Sequence, residues 1–148
     1  MSIVVDANMV VALILPCLYS EQAAARIAAW KHVGIDLVAP TLLEYEVSSV
    51  LRKAVSVGRL SADDAGEAMR AVLNLGIRCL PPDPELHQSA LHWAERLGQA
   101  KSYDAHYLAV AQQQQGELWT GDRRLANGAH RAGVAWVHWM GEEETAGA

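Results

Sequence analysis

The sequence predicts an α/β fold with three layers, in which helices cover both faces of a central, mostly parallel sheet of four to five strands. Short apolar runs, beginning with residues 3–5, alternate along the chain with longer helical patterns, as is typical of parallel sheets. The 148 residues, 51% hydrophobic and 20% charged, suit one globular domain. We expect residues 1–140 to form this domain and residues 141–148 to form a short, acidic, flexible tail.

Each strand is predicted from an apolar run that ends at a turn or a helix-breaking residue. The predicted strands cover residues 3–5, 36–39, 77–80, 117–120 and 134–137. The helices between them begin at side chains that can cap a helix N-terminus, which are Ser20, Thr41, Ser61, Asp83 and Ser102.

One of these caps decides how two neighbouring glutamates are interpreted. Thr41 and Glu44 have the spacing of a capping box, which assigns Glu44 to the helix start. Glu46 lies about 200° further around the helix, so the cap does not explain it. Glu46 is therefore a candidate functional residue.

Composition excludes several classes of protein. The net charge is −5 and the sequence pI is near 5.6, whereas proteins that bind nucleic acid through Lys and Arg alone are usually basic. An acidic chain can still act on nucleic acid if cations mask its carboxylates. The first residues contain no basic and apolar leader, and no apolar run is long enough to span a membrane. We therefore expect a cytoplasmic protein without a membrane segment, in which Cys17 and Cys79 are free thiols.

Four acids are placed where they can meet at one edge of the sheet. Asp6 and Asp122 each follow a predicted strand, Asp104 opens an apolar helix, and Glu46 lies in the second turn of another. In open α/β folds, ligands bind at the carboxyl ends of the strands. The pattern predicts a cluster of carboxylates at that edge.

Such a cluster needs a cation. Two unit charges 4 Å apart repel each other by about 4 kcal/mol at an effective dielectric constant of 20. Oxygen ligands select hard ions, so we expect Mg²⁺ or Mn²⁺, and no Cys and His residues have the spacing of a zinc site. Such ions can support in-line displacement at a phosphodiester. Asn8 and Thr120 could orient the acids or the attacking water.

The residues alone leave other classes open. A phosphotransferase of the haloacid-dehalogenase type also begins with a strand that ends in Asp, but it requires a second Asp where this chain has Asn8. A nucleotide-binding fold is disfavoured because no glycine-rich turn follows the first strand. His87 and His92 are interpreted as surface or packing residues, and His106 has no partner at metal-ligand spacing.

Four motifs together carry a resemblance to a known family. They are Val-Val-Asp6-Ala-Asn8, Pro40-Thr-Leu-Leu-Glu-Tyr-Glu46, Tyr103-Asp104-Ala-His-Tyr-Leu-Ala and Leu-Trp-Thr120-Gly-Asp122. In order and spacing, residues 2–138 resemble the PIN-domain family, and in particular the VapC-type toxin ribonucleases of type II toxin–antitoxin pairs. One departure is Ser49, where the family often has Asn.

The resemblance implies a PIN-like fold and a Mg²⁺- or Mn²⁺-dependent endoribonuclease that cleaves RNA. It implies a homodimer that a cognate antitoxin neutralises. The catalytic and metal-binding residues carried over are Asp6, Glu46, Asp104 and Asp122, with Asn8 and Thr120 as supporting polar groups. Candidate contacts to RNA phosphates are Arg123, Arg124 and Lys101. The alternative is a catalytically silent PIN-like module that only binds RNA or protein.

Overall fold

The computed structural model describes residues 1–142, so the predicted tail lies outside the described residues from residue 143 onward. In this part of the chain, five strands form one sheet in the order β3-β2-β1-β4-β5, and every neighbouring pair is parallel. The strands are β1 (Ser2–Val5), β2 (Asp36–Pro40), β3 (Arg78–Leu80), β4 (Glu117–Thr120) and β5 (Val137–Trp139). The predicted three-layer α/β/α class is confirmed.

Seven helices connect the strands within residues 1–142. They are α1 (Ala7–Ile14), α2 (Ser20–His32), α3 (Leu42–Ser56), α4 (Ala62–Leu73), α5 (Pro84–Arg96), α6 (Tyr103–Gln113) and α7 (Arg123–Arg131). None of these helices is long and apolar enough to cross a membrane.

The central strand and one helix form the middle of the core. Val4 and Val5 of β1 are fully buried, because β1 lies between β2 and β4 and has apolar residues on both sides. Helix α6 contains an unbroken run of buried residues from Tyr107 to Ala111, as expected for a helix whose sequence is apolar on most of its circumference. Because the rest of α6 is packed in the core, the position of its first turn at the sheet edge is fixed.

Two of the five predicted caps form side-chain hydrogen bonds. Ser61 Oγ accepts from the backbone N–H of Asp64 at 3.0 Å, and Asp83 Oδ1 accepts from that of Leu86 at 2.7 Å. The prediction of a capping box at Thr41 is wrong, since Thr41 has helical backbone angles and its side chain forms no capping hydrogen bond. Ser20 and Ser102 likewise form no capping bond.

The end of the domain differs from the sequence prediction. The last strand covers Val137–Trp139 rather than residues 134–137. The segment after Asp122 is a nine-residue helix. Gly128 lies within it, but a glycine costs a helix only about 1 kcal/mol, and Leu125 and Ala129 are buried on its inner face.

Candidate active site

Asp6 lies at the junction of β1 and α1 and is 5% exposed. Its Oδ1 accepts hydrogen bonds from the backbone N–H groups of Met9, at 2.9 Å, and Gly121, at 3.0 Å. Its Oδ2 accepts one from the Thr120 hydroxyl. A carboxylate offers about four acceptor positions, so these three donors leave one for a further ligand.

Burial sets the charge state of Asp6. Loss of solvation raises the pKa of this carboxyl from 3.8 to about 6, against the opposing effect of its hydrogen bonds. The negative charge of Asp104 raises it further. Asp6 is thus a buried acid that is close enough to sense a second acid at the sheet edge.

Thr120 connects Asp6 to Asp122. This residue is the last of β4 and is fully buried, and its hydroxyl oxygen accepts from the backbone N–H of Asp122 at 2.9 Å while it donates to Asp6. Asp122 caps α7, with its Oδ1 2.9 Å from the backbone nitrogen of Arg124. One threonine therefore fixes the strand-end acids of β1 and β4 relative to each other.

Gly121 allows the β4–α7 loop to pass close to α1. A Cβ at this position would lie 2.6 Å from Asn8 Cβ and 2.9 Å from the backbone nitrogen of Met9. No side chain fits in that space, and the same close approach lets the Gly121 N–H reach Asp6. Sequence reasoning did not identify Gly121, although its place between Thr120 and Asp122 was the available signal.

Tyr107 holds Glu46. The phenol lies on α6, is 1% exposed, and donates to Glu46 Oε1 on α3 at 2.7 Å. Partial burial raises the pKa of Glu46, this hydrogen bond lowers it, and the charge of Asp104 raises it. Sequence reasoning missed Tyr107, which lies three residues after Asp104 on the same face of the helix.

Asp104 is electrostatically at the centre of the set. Partial burial and then the charge of Asp122 raise its pKa, and Asp104 in turn raises the pKa of Asp6 and Glu46. Its carboxylate accepts no hydrogen bond within residues 1–142. The four predicted acids thus come from four elements and interact through Asp104.

No positive side chain neutralises this group. In the described part of the chain, the ion pairs within 4 Å involve Asp36, Glu117 and Glu142, and none involves the four acids. At the same time, no three acidic, histidine or cysteine side chains in residues 1–142 are grouped closely enough to hold a metal ion together. The acids interact in pairs.

The chemistry of these donors fits a hard divalent cation. All four are carboxylates, three of them have a raised pKa, and a cation would relieve the repulsion that contributes to those shifts. Shared ligation would need the half-exposed Glu46 or Asp104 to rotate, and Asp104 has no hydrogen bond to break. Asp6 would change little, since its neighbours fix it.

Two clefts give access to the acids from solvent. One, of about 460 Å³, is lined by Glu46, Asp104, Lys101 and Gln99. The other, of about 440 Å³, includes Asn8, Asp122 and Arg123 in its lining. Asp6 lines neither cleft, consistent with its burial beneath the other acids.

The three predicted phosphate contacts lie in different surroundings. Lys101 is exposed beside Glu46 and Asp104. The Arg123 guanidinium lies 4.9 Å from the centre of the Trp139 ring, which fixes its direction. Arg124 is exposed and forms no ion pair within residues 1–142.

The structure also brings together two histidines that the sequence left apart. His87 Nδ1 on α5 lies 2.8 Å from His106 Nε2 on α6. Helices α5 and α6 pack side by side, which no local pattern in either helix indicates. His106, for which the sequence shows no partner at metal-ligand spacing, thus has a hydrogen-bond partner in His87.

Comparison with known families decides the classification. The family described as PIN domain matches residues 3–130 of the chain. The chain belongs to the PIN-domain family. PIN domains are generally nucleases, so the match agrees with the predicted nuclease class, and the resemblance stated from the four motifs is confirmed.

Several solved structures share this fold. PAE2754 from Pyrobaculum aerophilum has 27% sequence identity and a TM-score of 0.69, covering 95% of this chain and 84% of that one. VapC20 from Mycobacterium tuberculosis, described as a toxin that cleaves the sarcin-ricin loop, has 17% identity and a TM-score of 0.63, covering 85% and 95%. FitAcB from Neisseria gonorrhoeae has 20% identity and a TM-score of 0.61, covering 92% and 96%. No curated protein matches the chain.

Proposed function

We propose that this PIN domain is a Mg²⁺- or Mn²⁺-dependent endoribonuclease that acts in the cytoplasm as the toxin of a toxin–antitoxin pair. The observation that carries the proposal is the group of Asp6, Glu46, Asp104 and Asp122. The charge of Asp104 raises the pKa of Asp6 and Glu46, and the charge of Asp122 raises the pKa of Asp104. None of the four carboxylates pairs with a cationic side chain in residues 1–142. Membership of a nuclease family supports the reaction class.

Each acid has a distinct proposed role. Asp6 anchors the principal ion through its one remaining acceptor position, because its other positions accept internal hydrogen bonds. Asp104 and Glu46 complete that site from α6 and α3. Asp122 holds a second ion or the water around the first.

A bound ion would polarise the scissile phosphate and lower the pKa of an attacking water. The chain's own residues orient the donors: Thr120 fixes Asp6 against Asp122, and Tyr107 fixes Glu46. Lys101, Arg123 and Arg124 are proposed to contact RNA phosphates on either side of the acids. Asn8 lines the cleft next to Asp122, where its amide can orient the attacking water.

Calorimetric titration with Mn²⁺ tests the ion site. We expect wild-type protein to bind, and Glu46→Gln and Asp104→Asn to bind at least tenfold more weakly, since each loses a charged ligand. Glu44→Gln is the matched control, being an exposed acid on the same helix. Equal affinities for wild type and Glu46→Gln would remove Glu46 from the site.

Cleavage of labelled single-stranded RNA tests the reaction. The expected result is cleavage that requires Mn²⁺ or Mg²⁺, is abolished by EDTA, and is lost in Asp6→Asn and Asp122→Asn. If both variants cleave RNA and stop bacterial growth as wild type does, the acids are not catalytic. RNA binding without cleavage under all these conditions would establish the silent PIN-like module instead.

The cleft beside Asp122 is the proposed docking site for an antitoxin segment. Its apolar lining includes Leu15 and Tyr19, and Leu18, which precedes Tyr19, is 86% exposed.

Co-expression tests the antitoxin. The product of a small reading frame beside the gene should restore growth and inhibit RNA cleavage by wild-type protein, and Leu18→Asp should weaken its binding. If no protein encoded by a neighbouring reading frame binds, the toxin assignment is refuted, whereas the proposed nuclease activity is unaffected. Sedimentation of the purified chain tests the proposed homodimer.

A further inference from the structure

A small pocket lies beside the acids at the ends of β2 and β3. We call it the histidine pocket and define it by His87, His106, Tyr103, Leu42, Leu86 and Pro82. Its volume is about 190 Å³, which is room for one planar ring system and not for a folded chain. None of the roles proposed above uses it.

Hydrogen bonding fixes the protons of the two histidines. The Ser102 carbonyl oxygen, which can only accept, lies 2.6 Å from His106 Nδ1, so that nitrogen carries a hydrogen. When both rings are neutral, His106 Nε2 is then an acceptor and accepts a hydrogen bond from His87 Nδ1 at 2.8 Å. His87 Nε2 is left as an acceptor on an exposed side chain, with no hydrogen-bond partner within residues 1–142.

The lining of the pocket selects a neutral and planar occupant. No Asp, Glu, Lys or Arg is among its lining residues, so no such side chain would neutralise a charged ligand there. Its walls are mostly apolar residues and flat rings, with the hydroxyl residues Thr41 and Ser102 also in the lining. The imidazoles lie 5.0 Å apart at 76° to each other, and Tyr103 is 57% exposed. An occupant that stacks on rings and donates one hydrogen bond to His87 Nε2 matches these features.

The pocket adjoins the candidate active site. Tyr103 lines both the histidine pocket and the cleft that contains Glu46 and Asp104. A chain whose phosphate lies at the acids would therefore place a neighbouring group against Tyr103. Single-stranded RNA offers such a group, because its unstacked bases are neutral, planar and free to stack on aromatic side chains.

We propose that the histidine pocket binds one unpaired base of the RNA, next to the phosphate that is cleaved. The base stacks on the rings and donates to His87 Nε2 from a ring N–H or an exocyclic amine. The pocket thereby selects the base at one position of the substrate. This inference rests on the proposed ribonuclease function, because it takes RNA as the ligand.

Fluorescence of bound RNA tests the pocket without any cleavage. The probe is a set of single-stranded RNA hexamers, random except for the fluorescent base 2-aminopurine at one fixed position, titrated in EDTA. We expect strong quenching at one or two positions, and roughly tenfold weaker binding by His87→Ala. His92→Ala is the matched control, since His92 is exposed on the same helix but outside the pocket, and it should behave as wild type.

Two results would overturn the proposal. One is the absence of quenching at every position, including the case in which no hexamer binds. The other is quenching and affinity that are the same in His87→Ala as in wild type. A variant that keeps the ring but loses the acceptor, His87→Phe, separates stacking from hydrogen bonding: it should keep the quenching and lose the preference among bases.

The fluorescence experiment and the cleavage experiment can fail independently of each other. If quenching depends on His87 but Mn²⁺ produces no cleavage, the ribonuclease proposal fails and the base pocket stands. If RNA is cleaved with the same base preference in wild type, His87→Ala and His87→Phe, the nuclease stands and the pocket has no part in choosing the substrate.

Discussion

The Tyr107 hydroxyl donates to Glu46 Oε1 at 2.7 Å and so connects the buried centre of α6 to the solvent edge of α3. The phenol is 1% exposed, whereas the carboxylate reaches a cleft. A rigid core residue therefore determines where a half-exposed acid lies.

Tyr107→Phe should lower the free energy of unfolding by about 2 kcal/mol, since hydrogen bonds to charged groups contribute roughly 1.5–3 kcal/mol. The hydrogen bond lowers the pKa of Glu46, so its loss should raise that pKa and move the acid limb of the cleavage profile to higher pH. Denaturant unfolding and a pH series of cleavage rates measure the two effects. Tyr45→Phe, at an exposed tyrosine on α3, should change neither.

Gly121→Ala should destabilise the protein by about 1–3 kcal/mol, as overpacked substitutions do, and should abolish cleavage. The new Cβ would lie 2.6 Å from Asn8 Cβ, which forces the loop away from Asp6. Thermal unfolding and the cleavage assay report both losses. Gly128→Ala is the control: its Cβ meets only the end of Arg131, at 3.8 Å, so it should stabilise α7 by about 0.5–1 kcal/mol.

Without metal, the protein should lose stability as pH rises from about 4 to about 6. The pKa of Asp6 is raised from 3.8 to about 6 in the folded state, so the folded state holds its proton over that range while the unfolded state releases it. The full difference corresponds to about 3 kcal/mol above pH 6. Urea unfolding in EDTA measures the free energy of unfolding across this pH range. Asp6→Asn should make its dependence on pH weaker. A stability that rises with pH in wild type would contradict the raised pKa of Asp6. Mn²⁺ should restore stability at pH 7.

Arg124→Ala should weaken binding of single-stranded RNA equally for all sequences. Each lost phosphate contact should reduce the slope of log affinity against log salt concentration by about 0.7. The Arg124 side chain forms no ion pair in residues 1–142, and its backbone bond to Asp122 is kept in the variant, so the fold should be unaffected. Arg70→Ala, which removes a charge from α4, should leave the slope unchanged; an equal effect would show that only net charge matters.

Much of the fold followed from the sequence because it depends on local patterns. The β-branched run before Asp6 and the run before Asp122 gave strands β1 and β4, and the alternation with helices gave a parallel sheet. Strand β5 was misplaced because Val134 is apolar and buried outside the strand, which periodicity cannot distinguish from a strand residue.

The contacts that support the site were less accessible. The Tyr107–Glu46 bond joins residues 61 positions apart, and the histidine pair joins α5 to α6. Both depend on how helices pack, and no spacing within one helix encodes that. Glu46 was singled out through a capping box that does not form, and its candidacy now rests on its contact with Tyr107 and on its place in the cleft.

Strand order has a practical consequence for producing such a protein. The chain builds β1, β2 and β3 outward in one direction, then returns to add β4 and β5 on the other side of β1. Division in the exposed segment at residues 81–83 would leave Asp6 and Glu46 on one fragment and Asp104 and Asp122 on the other. Under the proposed toxin function, neither half should harm its host alone, and activity should appear only when β4 of one fragment pairs with β1 of the other.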